Sequence, residues 1–150
     1  MSQSDPVVIT AIARTPMGGM QGMFSALSAS QLGATAIKAA VERSGLKPED
    51  VQEVIMGCVL PAGQGQAPAR QAVRGAGLPD GTGATTINKV CGSGMKSIML
   101  AHDLIKAGSA DIVVAGGMES MTNAPHLLTK ARSGYRFGHG ELLDHMALDG

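Results

Sequence analysis

The chain has 150 residues, with 12 basic and 12 acidic side chains and therefore no net charge. Such a balance creates no field that would draw nucleic acid or an anionic membrane, and we expect neither as a partner. An apolar share of 44% and a charged share of 16% are typical of a globular domain and exclude a disordered chain. With two phenylalanines, one tyrosine, no tryptophan and ten methionines, the core must consist of aliphatic side chains and methionine.

Strand-like and helical patterns alternate through the first 120 residues. VVITAIA, VIMGCV, TTINKV and DIVVA are short and mostly rich in β-branched residues, as buried strands are. Between them apolar residues recur at helical spacing, and glycines such as Gly45 and Gly108 stand where a left-handed helix cap is needed. This alternation predicts an α/β fold with a mainly parallel sheet covered by helices. The predicted elements are a strand at 7–13, a helix from 28 or 30 to about 44, a strand within 51–60, a helix at 69–77, a strand at 85–90, a helix at 95–107 and a strand at 111–115.

Four other features of the sequence carry weak functional signals or none. The Gly/Met-rich segment 17–25 lacks the glycine spacing of a dinucleotide fingerprint and is predicted to be a loop. Arg70 and Arg74 share a helix face and could hold an anion, but a solvated surface or an internal ion pair is favoured. Residues 120–150 have no clear period. Four histidines without helical pairing and two cysteines without zinc spacing predict no metal site.

The two cysteines differ in their local sequence. Cys58 lies in an apolar strand pattern and is expected to pack in the core. Cys91 lies in the turn CGSG, between a predicted strand and a predicted helix. The unpaired N–H groups of a helix start stabilise a thiolate and can donate to a developing oxyanion, so a nucleophile is plausible there. Most free cysteines are simply small buried hydrophobes, and the local pattern alone leaves both interpretations of Cys91 open.

Four motifs carry a resemblance to a known family. They are RTPMG at 14–18, VIMGCVLPAGQGQAPARQA at 54–72, NKVCGSGMKS at 88–97 and VAGGMESMTNAPH at 114–126. In this order and spacing the chain resembles the thiolases, and within them the acetyl-CoA C-acetyltransferases. The resemblance implies a thiolase-like fold in which residues 1–119 form the first half of a duplicated architecture. Residues 120–150 then begin a loop domain that covers coenzyme A and contributes to tetramer contacts, and the C-terminal half is absent from the chain.

The resemblance also implies a chemistry for Cys91. It corresponds to the cysteine that accepts an acyl group from acyl-CoA, and its backbone N–H corresponds to an oxyanion donor. The implied reaction is the reversible Claisen condensation of two acetyl-CoA to acetoacetyl-CoA plus coenzyme A. Coenzyme A thioesters are then substrates, and no further cofactor is expected. Met118, Glu119 and Met121 fall in the family's GGMESM segment, where we expect a structural role.

Several family features are missing from these 150 residues. The activating histidine of a Gly-His-Pro motif, the second cysteine that moves the α-proton, the asparagine-held water and most coenzyme A contacts are expected after residue 150. We therefore expect residues 1–150 alone to be inactive in thiolysis. Alternatives are a 3-ketoacyl-CoA thiolase of broader chain length, a non-catalytic fragment that needs the missing half, and a ketosynthase or HMG-CoA-synthase-like enzyme, against which CGSG and GGMES argue.

Two expectations concern assembly and location. The strand before Cys91 corresponds to a family dimer seam, so the complete protein should form a homodimer or a dimer of dimers near residues 84–90. The first residues, MSQSDPVVITA, lack the basic and apolar regions of a secretory leader, and no apolar run is long enough to span a membrane. We therefore expect a cytoplasmic protein.

Overall fold

Three parallel strands form the centre of the structure, a computed structural model in which residues 7–150 are described. They are β1 (Glu53–Gly57), β2 (Gly83–Ile87) and β3 (Val113–Gly117), in the spatial order β2-β1-β3. Strand β1 pairs in parallel with both neighbours, so that Gly57 lies level with Ile87 and Gly117. The carboxyl ends of all three strands therefore meet at one edge, and the predicted α/β fold with a parallel sheet is confirmed.

The three main helices are α1 (Ala29–Ser44), α2 (Pro68–Gly75) and α3 (Ser93–Lys106). A reciprocal capping box starts α1, since the Ser28 hydroxyl accepts from the Gln31 N–H and the Gln31 side chain accepts from the Ser28 N–H. Gly45 ends α1 with φ +73°, and Gly108 follows α3 with φ +71°. Both glycines adopt the left-handed conformation that the sequence predicts.

The core lies between β1 and the helices α1 and α2. Its largest fully buried side chains include Val54 and Met56 of β1, Ile37 of α1 and Val73 of α2. Met118, just after β3, also belongs to this core, and a Cβ atom added at Gly33 of α1 would lie 2.6 Å from its sulfur. A glycine on α1 thus makes room for the methionine, which supports the predicted structural role of Met118.

The predicted first strand does not form. Residues 7–13 are not paired as a strand in the described part of the chain, and Val8, Ile9 and Ile12 are 65%, 74% and 77% exposed. The segment lies across a cleft of about 540 Å³ from β3, with α1 and α3 lining the same cleft. The prediction of a buried strand at 7–13 was wrong here because β-branched composition supplies propensity but no backbone partner.

The side of α3 that faces the sheet carries small side chains. The buried residues of α3 are Ser93, Ser97 and Ala101, whereas Ile98 is 49% exposed. Small side chains face inward because the helix approaches the sheet closely. Apolar side chains of α3, Ile98 and Met99 among them, are therefore left on the surface.

The segment after residue 120 contains only short elements. A 3-10 helix (Met121–Asn123) precedes an antiparallel pair, β4 (His126–Leu127) and β5 (Leu143–Asp144), and α4 (His145–Asp149) follows. This agrees with the absence of a clear period in its sequence. The assignment of 120–150 to a separate loop domain stays a prediction. Among residues 7–150, no helix is both long and apolar enough to cross a bilayer.

Candidate active site

Cys91 lies on a tight elbow at the carboxyl edge of the sheet. Strand β2 ends at Ile87 and α3 begins at Ser93, so five residues make the whole connection. Within it the Gly92 N–H donates to the Lys89 carbonyl over 3.0 Å, and the Ser93 N–H donates to the Val90 carbonyl over 3.1 Å. The Cys91 side chain is exposed. The predicted placement of this cysteine between a strand and a helix start is confirmed.

Glycines let the start of α3 rest directly on the ends of two strands. A Cβ atom at Gly57, the last residue of β1, would lie 2.6 Å from Ser93 Cβ and 2.9 Å from the Gly94 nitrogen. A Cβ atom at Gly117, the last residue of β3, would lie 3.4 Å from Gly94 Cα. No larger residue at position 57 leaves room for this contact, so backbone atoms fix the depth of the elbow.

A buried hydroxyl joins the first turns of α3 to β3. Ser97 is fully buried, and its Oγ lies 2.6 Å from the Gly94 carbonyl and 2.8 Å from the Gly116 carbonyl. This hydroxyl donates its single proton to one of these two acceptors at a time. The first turns of α3, which follow Cys91 directly, are thereby joined to the end of β3.

Two polar side chains bind the backbone on either side of Val90. Asn88 Oδ1 accepts from the Val90 N–H over 2.8 Å, and Ser93 Oγ donates to the Val90 carbonyl over 2.6 Å. Ser93 Oγ also accepts from the Lys89 N–H over 2.8 Å. Val90 itself has φ +47°, an unusual conformation for a β-branched residue. Sequence reasoning missed this arrangement, and its only trace in the sequence is an Asn and a Ser flanking the cysteine turn.

The elbow has the parts that nucleophilic catalysis needs from a strand–helix turn. The thiol is open to solvent, and the N-terminal end of α3 places positive partial charge beside it. A thiolate there can attack a thioester carbonyl, and backbone N–H groups of a helix start can receive the resulting oxyanion. The roles of Cys91 as nucleophile and of its N–H as oxyanion donor stay predictions.

Comparison with known proteins assigns the family. Residues 7–150 match the family described as "Thiolase, N-terminal domain". The chain belongs to the thiolase family. The match contains every element of the elbow and its supporting glycines, so the resemblance proposed from four motifs is confirmed over nearly the whole chain.

Relatives of this thiolase domain carry closely similar names. It is 57% identical to the acetyl-CoA acetyltransferase of Cupriavidus necator over 96% of the chain, and 56% identical to acetyl-CoA acetyltransferase 2 of Arabidopsis thaliana over 96%. It is 53% identical over its full length to a cytosolic acetyl-CoA acetyltransferase of Gibberella zeae. The chain spans 37%, 36% and 38% of the length of these relatives, respectively, which is little more than a third.

Cys58, the other cysteine of these 150 residues, is buried where Cys91 is exposed. Cys58 follows the last residue of β1 and is 1% exposed. Its Sγ donates to Glu119 Oε1 over 3.5 Å and accepts from Gln64 Nε2 at the same distance. Burial, followed by the charge of Glu119, raises the pKa of the Cys58 thiol from 9.0 to about 11. The prediction that Cys58 packs in the core is confirmed, although it lies just past the strand rather than within it.

Glu119 binds backbone groups beyond the end of β1. Its Oε2 accepts from the Val59 N–H over 2.7 Å, and its Oε1 accepts from the Leu60 N–H over 3.1 Å. The carboxylate thus replaces the strand partner that these two N–H groups would otherwise need. This geometry supports the structural role expected for Glu119. Met121 differs from Met118 in being 53% exposed.

The remaining candidate groups are used structurally. Arg70 donates to the Thr82 carbonyl over 2.6 Å and to the Asp80 carbonyl over 2.5 Å, and Arg74 pairs with the Asp80 carboxylate at 3.3 Å. The favoured alternative to an anion site, an internal ion pair or solvated surface, therefore agrees with the structure. Within residues 7–150, no group of three or more His, Cys, Asp or Glu side chains is arranged to hold a metal ion.

One buried histidine was not singled out by the sequence. His145 is 4% exposed, with Nδ1 2.6 Å from the Asp149 carboxylate and Nε2 accepting from the Ala62 N–H over 3.4 Å. The proton of the neutral ring therefore lies on Nδ1. The bond from the Ala62 N–H to His145 Nε2 attaches α4 to the loop that follows β1.

Proposed function

We propose that the thiolase chain takes part in acyl transfer through an acyl-cysteine on Cys91. The observation that carries this proposal is the position of an exposed thiol on the elbow before α3, while Cys58 is buried beneath Glu119. The Cys91 thiolate would attack the carbonyl carbon of an acyl-CoA, forming a new thioester and releasing the coenzyme A thiolate. The acyl group is then available to a carbon nucleophile, which divides a difficult condensation into two steps.

The proposed overall reaction is the reversible condensation of two acetyl-CoA to acetoacetyl-CoA. The names of the similar proteins, all acetyl-CoA acetyltransferases, support acetyl over longer acyl groups. The second step needs a base to remove the α-proton, and general acid–base groups contribute roughly 10² to 10⁴ each in rate. Because such groups are expected after residue 150, we propose that residues 1–150 by themselves accept an acyl group but do not complete a cycle.

Radiolabelled acetyl-CoA tests the first step directly. After incubation and unfolding of the chain, we expect the label on the peptide that contains Cys91. The Cys91→Ala variant should lose the label, and the Cys58→Ala variant should keep it. Equal labelling of the chain and its Cys91→Ala variant would overturn the proposal. Competition with longer acyl-CoA thioesters, measured in the same assay, tests the preference for acetyl over a broader chain-length range.

We also propose that the complete protein is a homodimer or a homotetramer. Strand β2 is at an edge of the sheet in the described part of the chain, and its sequence GATTI is suited to pairing. An edge strand of this type offers unpaired backbone groups to a second copy. Sedimentation of the complete protein at micromolar concentration checks this proposal, and a stable active monomer would contradict it.

The proposed location is the cytoplasm. A relative named as cytosolic supports this location, whereas several other relatives are named as mitochondrial.

A further inference from the structure

We infer that Asn88 and Ser93 are positioning residues for Cys91, acting through the backbone of Val90. We call these two side chains the Val90 clamp. They bind the two peptide groups that flank Val90, its N–H and its carbonyl, by bonds of 2.8 Å and 2.6 Å. Cys91 is the next residue, so the torsion angles of Val90 decide in which direction its backbone and thiol point.

Val90 has the least favourable backbone conformation in the elbow, because it is a β-branched residue with positive φ. In the described chain, three residues other than glycine have positive φ, and Val90 is the one that is β-branched. A left-handed conformation is unfavourable at such a residue and persists only where its surroundings impose it. The Val90 side chain is 52% exposed, so packing around it supplies little of that constraint. The hydrogen bonds to its backbone are therefore the main local restraint.

The two members of the clamp are anchored differently. Ser93 is 4% exposed and stands against Gly57, so the end of β1 fixes its position. Asn88 is exposed, and its Nδ2 donates to the Val59 carbonyl over 3.4 Å. Both anchors lead to the end of β1, the strand between β2 and β3. The orientation of Cys91 therefore depends on contacts with the end of the central strand and the residues just after it, and not only on contacts within its own loop.

Without the clamp, the Val90 N–H loses its Asn88 acceptor and the Val90 carbonyl keeps only the backbone bond from the Ser93 N–H. Val90 can then return to negative φ, which rotates the following peptide and moves Cys91 relative to the start of α3. The thiol then leaves the position in which the elbow presents it to solvent, so its reaction with an electrophile slows. The inference rests on the proposed function only in taking Cys91 as the reacting group. It adds residues that do not touch a substrate but determine where the thiol stands.

The test is a double-mutant cycle between positions 88 and 90, with the rate of alkylation of Cys91 by iodoacetamide as readout. We expect Asn88→Ala to slow alkylation roughly ten-fold, which corresponds to about 1.4 kcal/mol. Val90→Gly removes the cost of positive φ, so that variant alone should alkylate at nearly the parent rate. In the Val90→Gly background, Asn88→Ala should slow alkylation by less than about three-fold.

Controls separate positioning from general stability. Asn123→Ala removes an asparagine of similar bonding, whose Nδ2 donates to the Leu27 carbonyl over 2.9 Å, and it should leave the Cys91 rate within about two-fold. Ser93→Ala is expected to slow alkylation like Asn88→Ala. Should its buried position cause unfolding, the exposed Asn88 still decides the question. An Asn88→Ala rate within about two-fold of the parent, or an equal loss in both backgrounds, would overturn the inference.

Failure of this inference is distinguishable from failure of the proposed function. A chain whose Cys91 shows the expected coupling in alkylation, but never accepts the acetyl label, would defeat acyl transfer and leave the clamp intact. A chain that accepts the label on Cys91 with no coupling between positions 88 and 90 would defeat the clamp alone.

Discussion

Cys58 and Cys91 follow neighbouring strands of one sheet at the same edge, yet their surroundings are opposite. Cys58 comes directly after β1, the central strand, where neighbours on both sides and the carboxylate of Glu119 enclose it. Cys91 comes after β2, at an edge of the described sheet, where the chain turns outward into α3. Position within the sheet, more than distance along the chain, therefore decides which thiol is available for chemistry.

The largest expected difference is in labelling. A pKa raised from 9.0 to about 11 gives Cys58 about 100-fold less thiolate at neutral pH, and 1% exposure limits reagent access further. We expect iodoacetamide to modify Cys91 at least about 100-fold faster than Cys58 in the folded chain. Peptide mapping measures both rates in one sample, and unfolding in urea serves as the control that should largely equalise them. Faster modification of Cys58 in the folded chain would contradict the comparison.

Removing the carboxylate that encloses Cys58 should be the next largest effect. Glu119→Ala leaves the Val59 and Leu60 N–H groups without their acceptor, and each unsatisfied group costs about 1–3 kcal/mol. We expect a loss of about 4 kcal/mol in the free energy of unfolding, measured by urea denaturation. Glu141→Ala, at an exposed position, is the matched control and should change stability by less than about 0.5 kcal/mol. A similar small change for Glu119→Ala would show that the carboxylate is dispensable.

The buried thiol also predicts a pH dependence of stability. The pKa of Cys58 is 9.0 without the fold and about 11 within it, so between these values the folded chain holds a proton that the unfolded chain has lost. Stability is therefore full below about pH 9 and falls as pH rises towards 11, by up to about 3 kcal/mol. Comparing urea denaturation of the parent, Cys58→Ala and Cys91→Ala isolates this contribution. The decline should be smaller in Cys58→Ala alone, and equal declines in all three would refute it.

The smallest expected effect concerns the glycine beneath the elbow. Gly57→Ala would place a Cβ atom 2.6 Å from Ser93 Cβ and should lower the free energy of unfolding by about 1–3 kcal/mol. It should also change the rate of Cys91 alkylation, because α3 has to move away from β1. Gly81→Ala is the control, since no atom lies within 4 Å of the added methyl group. If Gly57→Ala is as well tolerated as Gly81→Ala, the close contact does not hold the elbow.

Local signals explain what the sequence predicts well. Ser28 and Gln31 form a capping box and Gly45 a left-handed end, so the limits of α1 follow from a few neighbouring residues. The alternation of short β-branched segments with helices predicts the parallel sheet. The elbow itself follows from CGSG lying between a strand pattern and a helical pattern. These features depend on interactions within a few residues of each other.

Non-local contacts explain what the sequence does not predict. Residues 7–13 have the composition of a strand, but a strand also requires a backbone partner, which the composition of a segment cannot reveal. The inward side of α3 follows Ser93, Ser97 and Ala101 because glycines of β1 and β3 admit a close approach, which a helical wheel ignores. The Val90 clamp depends on a torsion angle and on two side-chain directions, and none of these is visible in a pattern of residue types.

The contact of Gly94 with Gly57 and Gly117 affects how amino-acid substitutions in the core can shift the elements of this domain during evolution. Side chains in a core can be exchanged for others of similar volume, and each exchange shifts the elements that they separate by a fraction of an ångström. Between the start of α3 and the two strand ends there are almost no side chains to exchange, because main-chain atoms meet each other. Drift elsewhere in the core can therefore accumulate while the place of Cys91 relative to the sheet stays the same.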